Sequence, residues 1–209
     1  MFMIHTIQDI KDYLKTDFKN NHEIYKKNIL KEYLKGNMKV YYKFKFLIYL
    51  RLFEYCVNNQ KTILGKLRYL WFKRIFQKLQ VKTQLYISPN TCDAGLNIEH
   101  LGYIWIDSSS HLGKNCVLLP RILLGKKSPE VASNSENGNY AIQIGDNVYI
   151  GTGTTILGPV SIGSNVVIAA GSVAVKDIPD NSMVAGVPAK IMKQIDKEQI
   201  ETYIPALKR

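Results

Sequence analysis

Histidine, cysteine and acidic side chains are scarce in this 209-residue chain, and each scarcity excludes something. Of four histidines, only His100 and His111 lie beyond residue 80 and near one another. A zinc site of three imidazoles is therefore disfavoured. The three cysteines, Cys56, Cys92 and Cys116, are odd in number and lack metal spacing, so neither a disulfide framework nor a cysteine metal site is expected. A reducing cytoplasm is the natural compartment. Long apolar runs are missing too: none exceeds the length of Phe46-Leu-Ile-Tyr-Leu50, against the roughly 20 residues that cross a bilayer. The N-terminus reads without a secretory signal. Acidic residues are short in one half only. Residues 1–80 hold 17 Lys/Arg against 6 Asp/Glu, whereas residues 81–209 hold 11 of each, so the whole net charge of +11 lies in the first part. No nucleic-acid-binding motif accompanies that charge, and nucleic acid is not an expected partner.

What the second half has is a period. Ile144, Ile150, Ile156, Ile162 and Ile168 stand six apart without a break. Neither a helix at 3.6 nor a strand at 2 demands six. A parallel β-helix does, each hexapeptide forming one short side of a coil with its aliphatic residue pointing into the shaft. Coils of this kind stack at about 4.8 Å and leave ordered N–H groups along their corners. The same period runs upstream through Ile106, Leu112, Leu118 and Leu124; Ile98 and Ile104 are also six apart, with a two-residue frame shift between Ile104 and Ile106. Residues 126–140 have no period, are rich in Ser and Asn, and read as a loop thrown out from the coil. Cys116, inside a hexapeptide, is expected to be a small buried side chain.

The first half reads as helices. Leu64, Leu67, Trp71, Ile75 and Leu79 follow the spacing of one helical face, with Lys66, Arg68, Lys73, Arg74 and Lys78 around them. Residues 41–55 are dense in aromatic and aliphatic side chains, with Lys43, Lys45 and Arg51 between them. The expected arrangement packs these helices on the coil or on each other, charges solvated; peripheral contact of residues 1–80 with an anionic membrane is the alternative. The change of pattern and charge sets three regions: a basic helical region at 1–80, the coil at 81–193, and a C-terminal tail at 194–209 expected to be helical.

His100 is the candidate for chemistry. It follows Ile98-Glu99 on an early coil, beside a carboxylate and close to Gly102, with the long loop downstream. His111 directly precedes the inward Leu112, has no charged sequence neighbour, and reads as structural.

Ile98-Glu99-His100, the Leu112 and Leu118 hexapeptides, the Ile144–Ile168 run and Val184-Ala-Gly-Val-Pro-Ala-Lys-Ile191 together resemble the hexapeptide-repeat acyltransferases, in particular the serine acetyltransferase-like branch that includes polysaccharide O-acetyltransferases. The similarity covers residues 85–193, and its most specific part is the ending at 177–190. The resemblance implies a mainly β fold, a left-handed parallel β-helix with an N-terminal α-helical region. It implies homotrimers with acetyl-coenzyme A between subunits, no metal, and His100, with Glu99 beside it, as the catalytic base. An imidazole, which ordinarily titrates near pH 6.5, can take a hydroxyl proton at neutral pH. Donor-site positions carry over to Gly125, Thr152, Gly153 and Ala170, with Lys176 and Lys190 as point charges for phosphates.

The departures concern the acceptor. Serine acetyltransferases pair the histidine with an upstream Asp, where this chain reads Leu85-Tyr86-Ile87-Ser88; they place Asp immediately before it, where Glu99 stands. Their carboxylate-holding Arg-His pair is replaced by Asn139-Tyr140-Ala141-Ile142. Losing that bidentate grip forfeits roughly 1.5–3 kcal/mol, so a sugar or polysaccharide hydroxyl is the leading acceptor, with Arg121 and Tyr140 as candidate contacts. Serine O-acetylation for cysteine biosynthesis is the alternative, and a non-catalytic trimeric scaffold is the third reading.

Overall fold

A computed structural model describes residues 3–21, 29–130 and 140–208. Four helices come first: α1 (Ile7–Asn20), α2 (Ile29–Leu34), α3 (Met38–Asn58) and α4 (Ile63–Thr83). Helix α1 starts on a capping box in which Thr6 accepts from the Asp9 amide and Asp9 answers the Thr6 amide. Helix α4 starts on Thr62, which accepts from the Gly65 amide, and stops at Gln84 in the left-handed region (φ 58°). Phe46 and Phe53 of α3 pack on Phe76 of α4 with ring centroids 5.5 and 5.0 Å apart. The outward half of α4 departs from the expected face. Leu79 is buried, but Leu64, Leu67 and Trp71 are exposed, because α3 takes the side of α4 that carries Phe72, Phe76, Leu79 and Thr83. Arg51, expected among solvated charges, is wholly buried.

The strands are β1 (Leu85–Ile87), β2 (Asn97–Ile98), β3 (Ile104–Ile106), β4 (Ser110–Leu112), β5 (Val117–Leu118), β6 (Ile122–Lys126), β7 (Ile142–Ile144), β8 (Tyr149–Ile150), β9 (Thr155–Gly158), β10 (Val160–Ile162), β11 (Val167–Ile168), β12 (Val173–Ala174), β13 (Ser182–Ala185) and β14 (Lys190–Gln194). They form three sheets, ordered β1-β3-β6-β9-β12, β4-β7-β10 and β2-β5-β8-β11-β13-β14, all parallel except the last pair. The chain visits the sheets in rotation, so each circuit stacks on the one before. The six-residue period is this rotation: Ile106, Leu124, Ile156 and Ala174 line one inner column, Leu112, Ile144 and Ile162 a second, Leu118, Ile150, Ile168 and Val184 a third. All are buried, and each Ile, Leu or Val among them is worth about 1.5–3 kcal/mol if its side chain is fully removed from water. One line of corners turns on asparagines in the left-handed region, Asn115, Asn147, Asn165 and Asn181, which tolerate it better than other side chains. Their amides bond up the coil in a ladder, each Nδ2 donating to the next Oδ1 at 2.9–3.0 Å. The 126–140 loop falls mostly outside the described residues.

The two-residue frame shift lies elsewhere than the spacing suggested. Ile104 pairs with Ile122 and Ile98 with Leu118, so both Ile104 and Ile106 face inward and the extra residues sit in the corner between Ile98 and Ile104. That corner is 99–103, the one that carries His100, against 119–121 in the coil stacked on it.

Helices and coil share one core, and a polar clamp joins them. Arg51 donates to Asp17 (2.8 Å), Glu54 (2.9 Å) and the carbonyls of Cys92 (2.8 Å) and Asp93 (3.1 Å). Asp17 accepts from the amides of Gly95 and Leu96 (2.7 and 3.0 Å). Burial disfavours the Arg51 charge, but Asp17 and Glu54 outweigh it and hold the guanidinium protonated; burial pushes the Glu54 carboxyl up despite Arg51. We predict that Arg51→Met, which strands two buried carboxylates, lowers unfolding free energy by about 3–5 kcal/mol. Urea titration checks this, and a loss under 1 kcal/mol would contradict it.

Candidate functional site

The corner that holds His100 begins where β2 ends. Glu99 keeps the ladder through its amide to Leu118 (3.0 Å); then the two extra residues lift His100 and Leu101 out of the stack. Gly102 brings the chain back so closely over Pro120 that a Cβ there would stand 2.8 Å from the proline ring. His100 is exposed on the coil but opens into a cavity of about 880 Å³. Three parts of the chain wall it: Asn20 and Asn21 of α1 with Lys39 and Lys43 of α3; Asn97, Glu99 and Tyr149 of the coil; and Tyr203 and Pro205 of the C-terminal segment. That segment is helix α5 (Lys197–Tyr203), begun on an Asp196 capping box, and its Ile200 and Ile204 pack on Val117 and Val167 of the coil's outer face.

The cavity wall is polar in a specific way. Asn97 is buried, donates to Glu99 (3.4 Å) and leaves its Oδ1 without a hydrogen-bond partner. A buried, unanswered carbonyl oxygen costs about 1–3 kcal/mol. Burial, with the Glu99 charge second, raises the Tyr149 phenol above its ordinary range, so its O–H stays a donor at neutral pH. Beneath His100 the corners stack in a column, with Pro120-Arg121 followed by Thr152-Gly153 and Ala170-Gly171; Gly153 donates to the Pro120 carbonyl (3.0 Å) and Gly171 to that of Thr152 (2.8 Å). Arg121 occupies the left-handed conformation (φ 63°) that Gly153 and Gly171 occupy in the following coils. An arginine there costs roughly 1–2 kcal/mol relative to glycine. Its side chain is exposed.

The structure brings some of the expected residues together and separates others. Glu99, His100, Arg121, Thr152, Gly153 and Ala170 share the corner column. Lys190 pairs with Ala185 at the column's far end. Gly125 lies on β6 opposite Leu157, and Lys176 just beyond β12, both at the other edge of that sheet. Tyr140 stands on a different side of the coil, stacked on His111 (centroids 5.1 Å, 29°). His111 in turn has a charged neighbour that sequence adjacency hid: its Nε2 is 3.6 Å from Asp93. Asn97, Tyr149, Lys39 and Tyr203 join the site without being singled out by the sequence pattern, and Lys43, read there only as one of the helix charges, lines the same cavity. Asn97 alone carried a signal, an outward amide one residue before the inward Ile98.

No thiol competes as nucleophile. Burial pushes the Cys92 thiol up to about 12 and the Cys116 thiol further, and raises Cys56. Among the described residues no group of three or more His, Cys, Asp or Glu is placed to hold a metal ion.

Comparison with known proteins agrees with this architecture. The family Bacterial transferase hexapeptide (six repeats) matches residues 141–174. The galactoside O-acetyltransferase of Escherichia coli (strain K12) is 36% identical over 101 residues, covering 46% of this chain and 50% of that protein. The serine acetyltransferase of Staphylococcus xylosus is 32% identical over 139 residues, 66% of this chain and 62% of the relative. The chain thus spans less than two thirds of the curated relatives it matches. The serine acetyltransferase of Brucella abortus strain S19, solved in complex with coenzyme A, superposes with a TM-score of 0.64 at 23% identity over 91% of this chain and 70% of that one, a likeness of fold. The chain carries the bacterial transferase hexapeptide repeat, and its similarity to these acetyltransferases supports the hexapeptide-repeat acyltransferase superfamily.

Proposed function

We propose that the protein is an acetyl-coenzyme A-dependent O-acetyltransferase that modifies a sugar or polysaccharide hydroxyl, with His100 as general base. The observation that carries this reading is the lengthened corner, which sets His100 at the mouth of a cavity rimmed by amide, phenol and ammonium groups. Hydroxyl-rich acceptors suit such a wall. The exposed Glu99 carboxylate accepts from one hydroxyl, and Tyr149 donates to another oxygen. The names of the relatives support the reaction class, and the coenzyme A complex of the Brucella protein supports the donor.

In the reaction, the His100 imidazole takes the acceptor's hydroxyl proton as its oxygen attacks the thioester carbon. The tetrahedral oxyanion collapses, the C–S bond breaks, and imidazolium returns the proton to the departing thiolate, leaving an O-acetyl ester and free coenzyme A. Glu99 holds Asn97 and adds negative potential that favours the transient imidazolium. Thr152, Gly153 and Ala170 give the pantetheine arm a surface without bulky side chains. Lys190 and Lys176 meet phosphates, Gly125 lies beside the arm, and Arg121 and Tyr140 contact the acceptor.

One chain does not gather Gly125, Lys176 and Tyr140 at His100, and we infer a homotrimer in which a neighbour supplies that side. The faces of the coil support this. One is covered by α5; one presents His111, Gln143 and Ser161; the third carries the partly exposed ladder Tyr86, Trp105, Leu123, Thr155 and Val173. Trp105 is 42% exposed in the single chain. The coil is inferred to wind left-handed, with residues 1–80 as a basic module, 81–193 as the catalytic coil and 194–209 as a closing tail. Buried thiols fit a reducing cytoplasm.

A second reading, serine O-acetylation, is favoured by the longer match to the Staphylococcus xylosus enzyme. Thiol release from acetyl-coenzyme A, with galactosides and uronic acids beside L-serine, separates the two. Sugar-dependent release that falls about 10²–10⁴-fold in His100→Ala is the expected result. Release driven by L-serine alone would move the assignment to serine; release unchanged in His100→Ala would remove His100 as base; no release and no coenzyme A binding would leave a scaffold. For assembly, Trp105→Glu is predicted to convert a sedimenting species of three 23.8 kDa chains into one. A wild type already monomeric would refute the trimer.

A further inference from the structure

Helix α4 has two apolar sides, and only one is used. Phe72, Phe76 and Leu79 pack toward the core. On the opposite side Ile63, Leu64, Leu67, Leu70 and Trp71 are exposed, Leu64 by 78% and Trp71 by 60%. At about 3.6 residues per turn these five fall within about one third of the helix circumference. The next two turns of the same stripe carry Arg74 and Lys78, both exposed, and Lys66 and Lys82 flank it. The helix contains no Asp or Glu.

We propose that this face of α4 is a docking surface for an anionic lipid bilayer, on which the helix lies parallel to the membrane plane. The charge pattern selects the occupant. A second copy of α4 laid parallel would set Arg74 and Lys78 against the same cations, and one laid antiparallel would set them against Leu64 and Leu67; neither helix has a carboxylate to answer them, and charges unanswered at such contacts are destabilising. An anionic headgroup layer answers them all, at about 1 kcal/mol per basic side chain. The apolar part suits a shallow insertion rather than a crossing, since no described helix is long and apolar enough to span a membrane. Trp71, large and amphipathic, falls toward one flank of the apolar stripe, which for a helix lying flat is the depth of the headgroup boundary.

The inference does not rest on the acceptor or on catalysis, so it is tested without turnover. Full-length protein is sedimented with phosphatidylglycerol–phosphatidylcholine vesicles and with phosphatidylcholine vesicles alone, at low and high salt. Binding is expected only to the anionic vesicles and is expected to weaken with salt. Arg74→Gln with Lys78→Gln should weaken it about 30-fold, the equivalent of two basic side chains. Leu64→Ser with Leu67→Ser should weaken it about tenfold or more. These positions are exposed, and circular dichroism of both variants is expected to match wild type. In a Trp105→Phe background, Trp71 emission should shift to the blue on adding anionic vesicles. Absence of low-salt binding, full binding by either double variant, or an unshifted Trp71 spectrum overturns the proposal. So does a Leu64→Ser, Leu67→Ser protein that falls to a smaller sedimenting mass without lipid, which would give the face to a second copy.

Discussion

Strands in the middle of the coil find their hydrogen-bond partners in the coil on either side, but the first turn has no preceding coil. Its backbone groups must be answered by something, because a buried amide without a partner costs more than its bond would have gained. Helices α1 and α3 answer them. Asp17 takes the amides of Gly95 and Leu96, Asn21 bridges the Leu96 carbonyl and the Ile98 amide, and Asn20 holds the Gly95 carbonyl and starts the asparagine ladder at Asn115. Arg51 ties this set to Glu54 and to the carbonyls of residues 92 and 93. The cap is ionic where a repeat protein's terminal cap is commonly just polar. The chain segment it grips, 92–98, is the one that leads directly into the His100 corner, so the same contacts that end the coil also set the base in place.

The corners show where regularity yields to chemistry. Corners after the first contain three residues, and two of them use glycine to turn left-handed, at Gly153 and Gly171. The exceptions stand together: the corner with His100 is two residues longer, and the next puts Arg121 where its successors put glycine. A strained arginine over a row of glycines is a cost that the fold alone does not require, and strain of this size tends to persist where a site needs the side chain. The glycines below it leave the column bare, which is what a thin donor arm needs beside a crowded acceptor end.

Most of the coil was legible because its physics is local. Ile144 to Ile168 announce their own burial, and every one of them is buried. The frame shift was also visible in the sequence, but its location was not, since Ile104 and Ile106 both face inward in an extended strand and spacing alone cannot say on which side the extra residues lie. The α4 face was misread for a related reason. Two apolar stripes share that helix, and only the aromatic side chains of α3, distant in sequence, decide which is covered. The cavity was illegible for the same reason on a larger scale. Its walls come from residues 20–43, 97–149 and 202–205, and no period connects them. His111 has no charged neighbour in sequence, yet Asp93 reaches it from the preceding circuit.

The distribution of acids in the first 80 residues links stability to location. That stretch has few carboxylates, and the fold draws several of them inward: Asp17 and Glu54 hold Arg51, and Glu32 is buried beside Asn37. A carboxylate used to neutralise a buried guanidinium is unavailable to neutralise a surface lysine. The internal clamp therefore leaves the outer helices with an uncompensated positive field, felt over roughly 8 Å at physiological salt. At that range the field does little for a distant ligand and much for an extended anionic surface in contact. Lys39, on the cavity side of α3, extends the same field to the wall facing His100, so the basic region that meets the surroundings on one side shapes the acceptor site on the other.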